Sequence, residues 1–147
     1  MQNAITELEQ LTLTSASKRF LRETAKWSKF LSILGFILIG LMFIGSFFIG
    51  SLYNNMPQAQ GVPFNIGGIM TGVYVVLALI YIFPIYYLYQ FSSKMKQALF
   101  SKDDEVLAKA FEMLKSHYKF IGVFTIIMLS FYVLAIIIAI IGAAASF

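Results

Sequence analysis

Three long apolar stretches set apart by polar segments organise the chain: Phe30 to Leu52, Ile69 to Phe91 and Phe120 to Ala143. None contains Asp, Glu, Lys, Arg or His, and each is 23 or 24 residues long. A hydrocarbon core of about 30 Å needs roughly 20 helical residues at about 1.5 Å each. Apolar helices buried in soluble proteins usually run to only about 10 to 14 residues, and an open sheet would leave backbone groups unsatisfied in lipid. The pattern therefore predicts an all-α membrane protein with three transmembrane helices.

The polar segments then divide the chain. Residues 1–14 read as a flexible tail, 15–29 as a separate element leading into span 1 (30–52), and 53–68 as a loop. Span 2 (69–91) leads into a polar connection (92–119) before span 3 (120–143). The first apolar stretch is too long for the roughly 7 to 15 residues of a signal-peptide core and no A-x-A site follows it, so it is expected to remain as a signal anchor.

Charge placement gives an orientation. Lys18, Arg19, Arg22, Lys26 and Lys29 precede span 1, and Lys94, Lys96, Lys102, Lys109, Lys115 and Lys119 lie in the 92–119 segment, which together are all eleven basic residues. The 53–68 loop carries no charge. The positive-inside rule then predicts a cytoplasmic N-terminus and 92–119 segment, with the 53–68 loop and the C-terminus outside.

Residues 15–29 have the pattern of a basic amphipathic helix. At about 100° per residue, Lys18, Arg22, Lys26 and Lys29 fall within an arc of about 80°, with Phe20, Trp27 and Leu31 opposite. Lys18, Arg19, Arg22, Lys26, Trp27 and Lys29 are therefore candidate contacts to anionic lipid headgroups, each surface cation contributing about 1 kcal/mol. Enforcing orientation alone would also account for these charges.

The 92–119 segment is expected to be a cytoplasmic helical hairpin with its turn near Phe100 to Lys102. Ser101 ahead of Asp103, Asp104 and Glu105 suggests a helix start, with a capping hydroxyl and carboxylates in the first turn. Leu107, Phe111, Leu114 and Tyr118 recur at helical spacing and form a candidate docking face. That apolar face needs a cover, either Phe20 and Trp27 or a partner.

Composition agrees with a membrane setting: 59% of residues are hydrophobic and 12% charged, against roughly 25% charged in soluble domains. Candidate chemistry is sparse. With no cysteine, and with His117 as the single histidine, thiolate chemistry and a converging metal-ligand set are absent from the sequence. Asp103, Asp104 and Glu105 are consecutive and so point apart on a helix. No phosphate-binding glycine loop, G-x-S-x-G or H-E-x-x-H motif occurs. The expectation is a protein that is not an enzyme and needs no cofactor, metal or nucleic acid.

Within the spans the polar groups are mostly hydroxyls, which interhelical hydrogen bonds explain. Pro84 is expected to kink span 2. Small residues four apart are candidates for close helix packing at Ser46 and Gly50, at Gly68 and Gly72, and at Ala135, Ala139 and Ala143. All three sets lie in the half away from the charges, which predicts a bundle pinched there and splayed at the basic end.

Three stretches carry a resemblance: Lys26-Trp27-Ser28-Lys29-Phe30-Leu31-Ser32-Ile33-Leu34-Gly35-Phe36, Phe83-Pro84-Ile85-Tyr86-Tyr87-Leu88-Tyr89, and Leu114-Lys115-Ser116-His117-Tyr118-Lys119-Phe120-Ile121-Gly122. In this order they resemble a family of small three-span bacterial inner-membrane proteins known only as a domain of unknown function. The resemblance implies a bacterial inner-membrane location and assigns no activity. The expected role is a structural or accessory subunit that forms a homo-oligomer or binds another membrane protein. A subunit of an oligomeric channel or transporter is the alternative.

Overall fold

The structure, a computed structural model, describes residues 13–57 and 63–145, so the tail expected over residues 1–14 lies outside it except for its last two positions. Three helices follow one another: α1 (Ser15–Asn54), α2 (Ile66–Ser101) and α3 (Asp104–Ala145). Each is long and apolar enough to cross a membrane. At 40, 36 and 42 residues they measure about 60, 54 and 63 Å, roughly twice the hydrocarbon thickness. About half of each helix is therefore free to extend beyond it.

Residues 15–29 and 30–52, read as two elements in the sequence, form one unbroken helix. Thr14 caps its start, its Oγ1 accepting from the Ser17 N–H at 3.1 Å, and no proline or bend residue separates the basic part from the apolar part. At the other end Asn54, the last residue of α1, accepts from the Gly67 N–H at 3.1 Å, and Asn65 accepts from Gly68 N–H at 2.8 Å. Two donors of the first turn of α2, which have no partner inside the helix, are satisfied in this way.

α2 is the hub, packed against both α1 and α3. The antiparallel α1–α2 register is fixed along its whole length. Ala25 sits opposite Ser92, Gly35 opposite Ile85, Ser46 opposite Thr71 and Gly50 opposite Gly67. The α1 side of this seam is built from small residues: Ala25, Ser28, Ser32, Gly35, Ser46 and Gly50 are its buried positions. Their early spacing of three, four and three is the repeat of a left-handed helix pair. Close approach is real at the loop end, where a methyl group on Gly67 would run into the Gly50 carbonyl and the Asn54 side chain.

The basic end holds the small apolar core, with Ala25, Phe91, Met95 and Ala110 buried and Leu21, Leu88, Leu99, Leu107, Met113 and Leu114 packed around them. This corrects the expected cover of the hairpin. Phe20 and Trp27 are 58% and 60% exposed, and Leu21 and Ala25 do the covering instead. The contact stripe of α1 lies between its cationic and aromatic arcs, where small side chains let α2 come close. Ser92 marks the contact, its hydroxyl donating to the Ala25 carbonyl at 2.6 Å.

The helix start also differs from expectation. Ser101 ends α2, its hydroxyl donating to the Gln97 carbonyl at 3.0 Å. Lys102 turns the chain with φ 56°, and Asp103 caps α3 by accepting from the N–H groups of Glu105 and Val106 at 2.9 and 3.2 Å. A carboxylate outcompetes the hydroxyl here because it also complements the positive end of the helix dipole.

α3 meets α2 only over its first half. Its contacts run from Ala110 in the core through His117 to Phe124, whose ring lies 5.6 Å from that of Tyr81. Residues 125–144 are all exposed. The expected pinch is not seen between α1 and α2, which come close at the loop end, at Gly50 and Gly67, and equally meet at the basic end, at Ala25 and Ser92. α3 is close to α2 at the basic end, where Phe83, Phe120 and Phe124 fill the contact, and its residues toward the loop end are exposed.

Candidate functional site

The charged and apolar parts of all three helices meet in one band near the basic end. On α1 it holds Trp27 against Phe30, ring centroids 6.0 Å apart and nearly perpendicular. On α2 it holds Tyr86, Tyr87 and Tyr89. Gln90 donates to the Tyr86 hydroxyl at 2.7 Å, and Tyr89 packs edge-on against Phe36 of α1 at 6.3 Å. On α3 it holds His117, Tyr118 and Lys119. Amphipathic rings of this kind favour the headgroup level of a bilayer.

Pro84 lies buried in this band, within an α2 that continues through it as one helix. Its ring removes the N–H that the carbonyl four residues earlier would use. Its own carbonyl accepts from His117 Nδ1 at 2.7 Å. Since a carbonyl only accepts, Nδ1 carries a proton in this contact. In the sequence His117 stood out only as the single histidine. The structure gives it a defined partner, 33 residues away, that ties α3 to α2.

The remaining sequence candidates fall into distinct places. Lys18, Arg19, Arg22, Lys26 and Trp27 are exposed and Lys29 is half-buried; Arg19 lies over the Phe20 ring at 5.4 Å. The docking face divides, Leu107 and Leu114 turning into the core while Phe111 and Tyr118 stay exposed. Ser46 and Gly50 of α1 are buried against α2. On α2 itself the seam uses Gly67 and Thr71, not the expected Gly68 and Gly72; Gly68 sits beside its cap Asn65 and Gly72 faces open space. Ala135, Ala139 and Ala143 lie on the exposed half of α3.

Several seam residues were not singled out in the sequence, namely Ser28, Ser32, Gly35, Gly67, Thr71 and Ser92. Their three-four spacing on α1 was the available signal. Thr71 shows what the seam does with polar atoms, its hydroxyl lying 3.2 Å from the Ser46 carbonyl on α1 and 3.0 Å from Gly67 on its own helix. Among the described residues no group of three His, Cys, Asp or Glu is placed to hold a metal ion.

Where α3 begins to leave α2, an open groove of about 450 Å³ forms, bounded by Tyr87, Ser116, Lys119, Phe120, Val123, Phe124 and Ile127. Its walls change from polar to apolar along α3. No catalytic nucleophile and base are brought together in it.

A family model matches residues 51–141. The chain belongs to the family of unknown function DUF5362. The match spans the last residues of α1, all of α2 and most of α3, so the Pro84–His117 contact and the groove lie within the DUF5362 region. It begins after Lys26 to Phe36, one of the three stretches on which the sequence resemblance rested. No curated protein and no solved structure matches the chain.

Proposed function

We propose that this DUF5362 protein is a non-enzymatic, multi-pass protein of a bacterial inner membrane. It acts as a structural or accessory subunit, through association with copies of itself or with another membrane protein. The observation that carries this reading is the second half of α3. Residues 125–144 are exposed on every side, while the other two spans are joined by a seam along their length. Ala135 and Ala139, four apart on that half, allow the backbone of another helix to approach closely.

The orientation proposed is N-terminus inside and C-terminus outside, supported by the eleven basic residues at one end and the uncharged 53–68 loop at the other. The continuous α1 carries its cations into the cytoplasmic headgroup layer. Lys18, Arg19, Arg22 and Lys26 are exposed there for anionic lipid, with Lys29 and Trp27 at the boundary.

Size and flux test this reading. In nanodiscs the purified protein is expected as an oligomer or as a complex with a co-purifying membrane protein, and liposomes containing it are expected to pass no solute. Conduction by the purified protein would favour the channel reading and overturn the accessory one.

A further inference from the structure

We propose that the groove between α2 and α3 is a binding site for one anionic phospholipid, with Lys119 on the headgroup phosphate and one acyl chain lying along Val123, Phe124 and Ile127. The site belongs to the leaflet at the basic end, whichever side of the membrane that end faces. It is separate from the cationic arc of α1.

The grading of the groove carries the proposal. Tyr87, Ser116 and Lys119 bound one end, and the walls beyond them are apolar as far as Ile127. From Lys119 to Ile127 is eight residues, about 12 Å along the helix axis. That is most of the roughly 15 Å depth of one leaflet's hydrocarbon. A cation at the mouth and an apolar trough one leaflet deep match the two ends of a single phospholipid.

Charge points the same way. Lys119 is the last charged residue before the uncharged stretch of α3. The closest carboxylate on its own helix, Glu112, lies seven positions toward the hairpin, about 10 Å along the axis. At the membrane boundary the anion at hand for such an ammonium is a lipid phosphate. Phe120 stacks against Phe83 of α2 with ring centroids 6.2 Å apart, which gives the groove a firm floor and holds Lys119 beside it.

A single acyl chain is narrow and flexible enough to follow the apolar walls from Val123 to Ile127.

The test uses the full-length protein, delipidated in detergent, with lipid retention read by native mass spectrometry. Phosphatidylglycerol is expected to be retained at one per chain and in preference to phosphatidylcholine. Lys119→Gln is expected to lower phosphatidylglycerol retention about fivefold, the loss of about 1 kcal/mol for one surface cation. Lys119→Arg is expected to keep it, and Lys102→Gln at the exposed hairpin turn to leave it unchanged. Val123→Trp, at an exposed position outside the α1–α2 seam, fills the trough and is expected to lower retention of both lipids while helix content by circular dichroism stays the same. Glycerol phosphate, a headgroup without a chain, is expected not to compete. Equal retention of the two lipids, no effect of either Lys119→Gln or Val123→Trp, or competition by glycerol phosphate would overturn the proposal.

Discussion

His117 on α3 and Pro84 on α2 are joined by a hydrogen bond, ring Nδ1 to main-chain oxygen, at 2.7 Å. The bond sits where charged and apolar parts of the helices meet, and it is a polar link between two helices that also pack through the core around Met95 and Ala110 and through aromatic rings. His117→Ala is expected to lower stability by about 0.5–1.5 kcal/mol, the usual contribution of one hydrogen bond. His117→Asn, whose amide nitrogen lies near the Nδ1 position, should recover most of the loss, whereas His117→Gln, which places its nitrogen further out, should not. Unfolding in mixed detergent micelles reads the difference.

The crossing of α1 and α2 at Gly50 and Gly67 leaves no room for a side chain. Gly67→Ala is expected to cost about 1–3 kcal/mol through overpacking, because the Gly50 carbonyl, which cannot swing aside, lies in the way together with the Asn54 side chain. Gly72→Ala, one turn further on and facing open space, is expected to be neutral or slightly stabilising through higher helix propensity. Thermal denaturation of the two variants side by side gives the comparison.

The hairpin turn makes a third contrast. Asp103→Ala removes the cap of α3 and is expected to cost about 0.5–2 kcal/mol. Ser101→Ala is expected to change stability by less than about 0.5 kcal/mol, since that hydroxyl bonds within its own exposed turn. Lys102→Gly relieves a left-handed backbone position and is expected to gain roughly 0.5–1 kcal/mol. Chemical unfolding of the three variants tests the set.

The three spans were legible because a 23-residue uncharged stretch has few other uses. Each of the predicted windows lies inside a helix of the structure. Faces within those windows were not legible, and the reason is physical. Lipid and protein are equally apolar partners, so a helix that touches both shows no hydrophobic periodicity to tell them apart. Small residues were the remaining clue, and they are ambiguous in phase: Gly68 and Gly72 satisfy the four-residue spacing as well as Gly67 and Thr71 do, yet they face elsewhere. The contact of His117 with Pro84 depends on the register of two helices, which no local pattern records. At the hairpin the sequence pointed to Ser101 as the cap with Asp103 already in the first turn, and the left-handed turn at Lys102 moves the helix start so that Asp103 is the cap.

Because the chain has no cysteine, its orientation can be read by single-cysteine labelling. Phe64→Cys, in the exposed loop before α2, is expected to react with an impermeant maleimide on intact cells. Ala108→Cys, exposed on the hairpin, is expected to react only after the cells are permeabilised. Labelling of the hairpin from outside would reverse the proposed orientation.

The exposed half of α3 is where the proposed association is most directly measured. A photoreactive residue placed at Val133 or Ile137, activated in native membranes, is expected to give a protein–protein adduct of fixed mass, either a dimer of the 16.5 kDa chain or a complex with one other membrane protein. The same residue at Val76, exposed on α2, serves as the reference. If both α3 positions form adducts only with lipid, as a solitary membrane helix would, the chain does not act through association by α3.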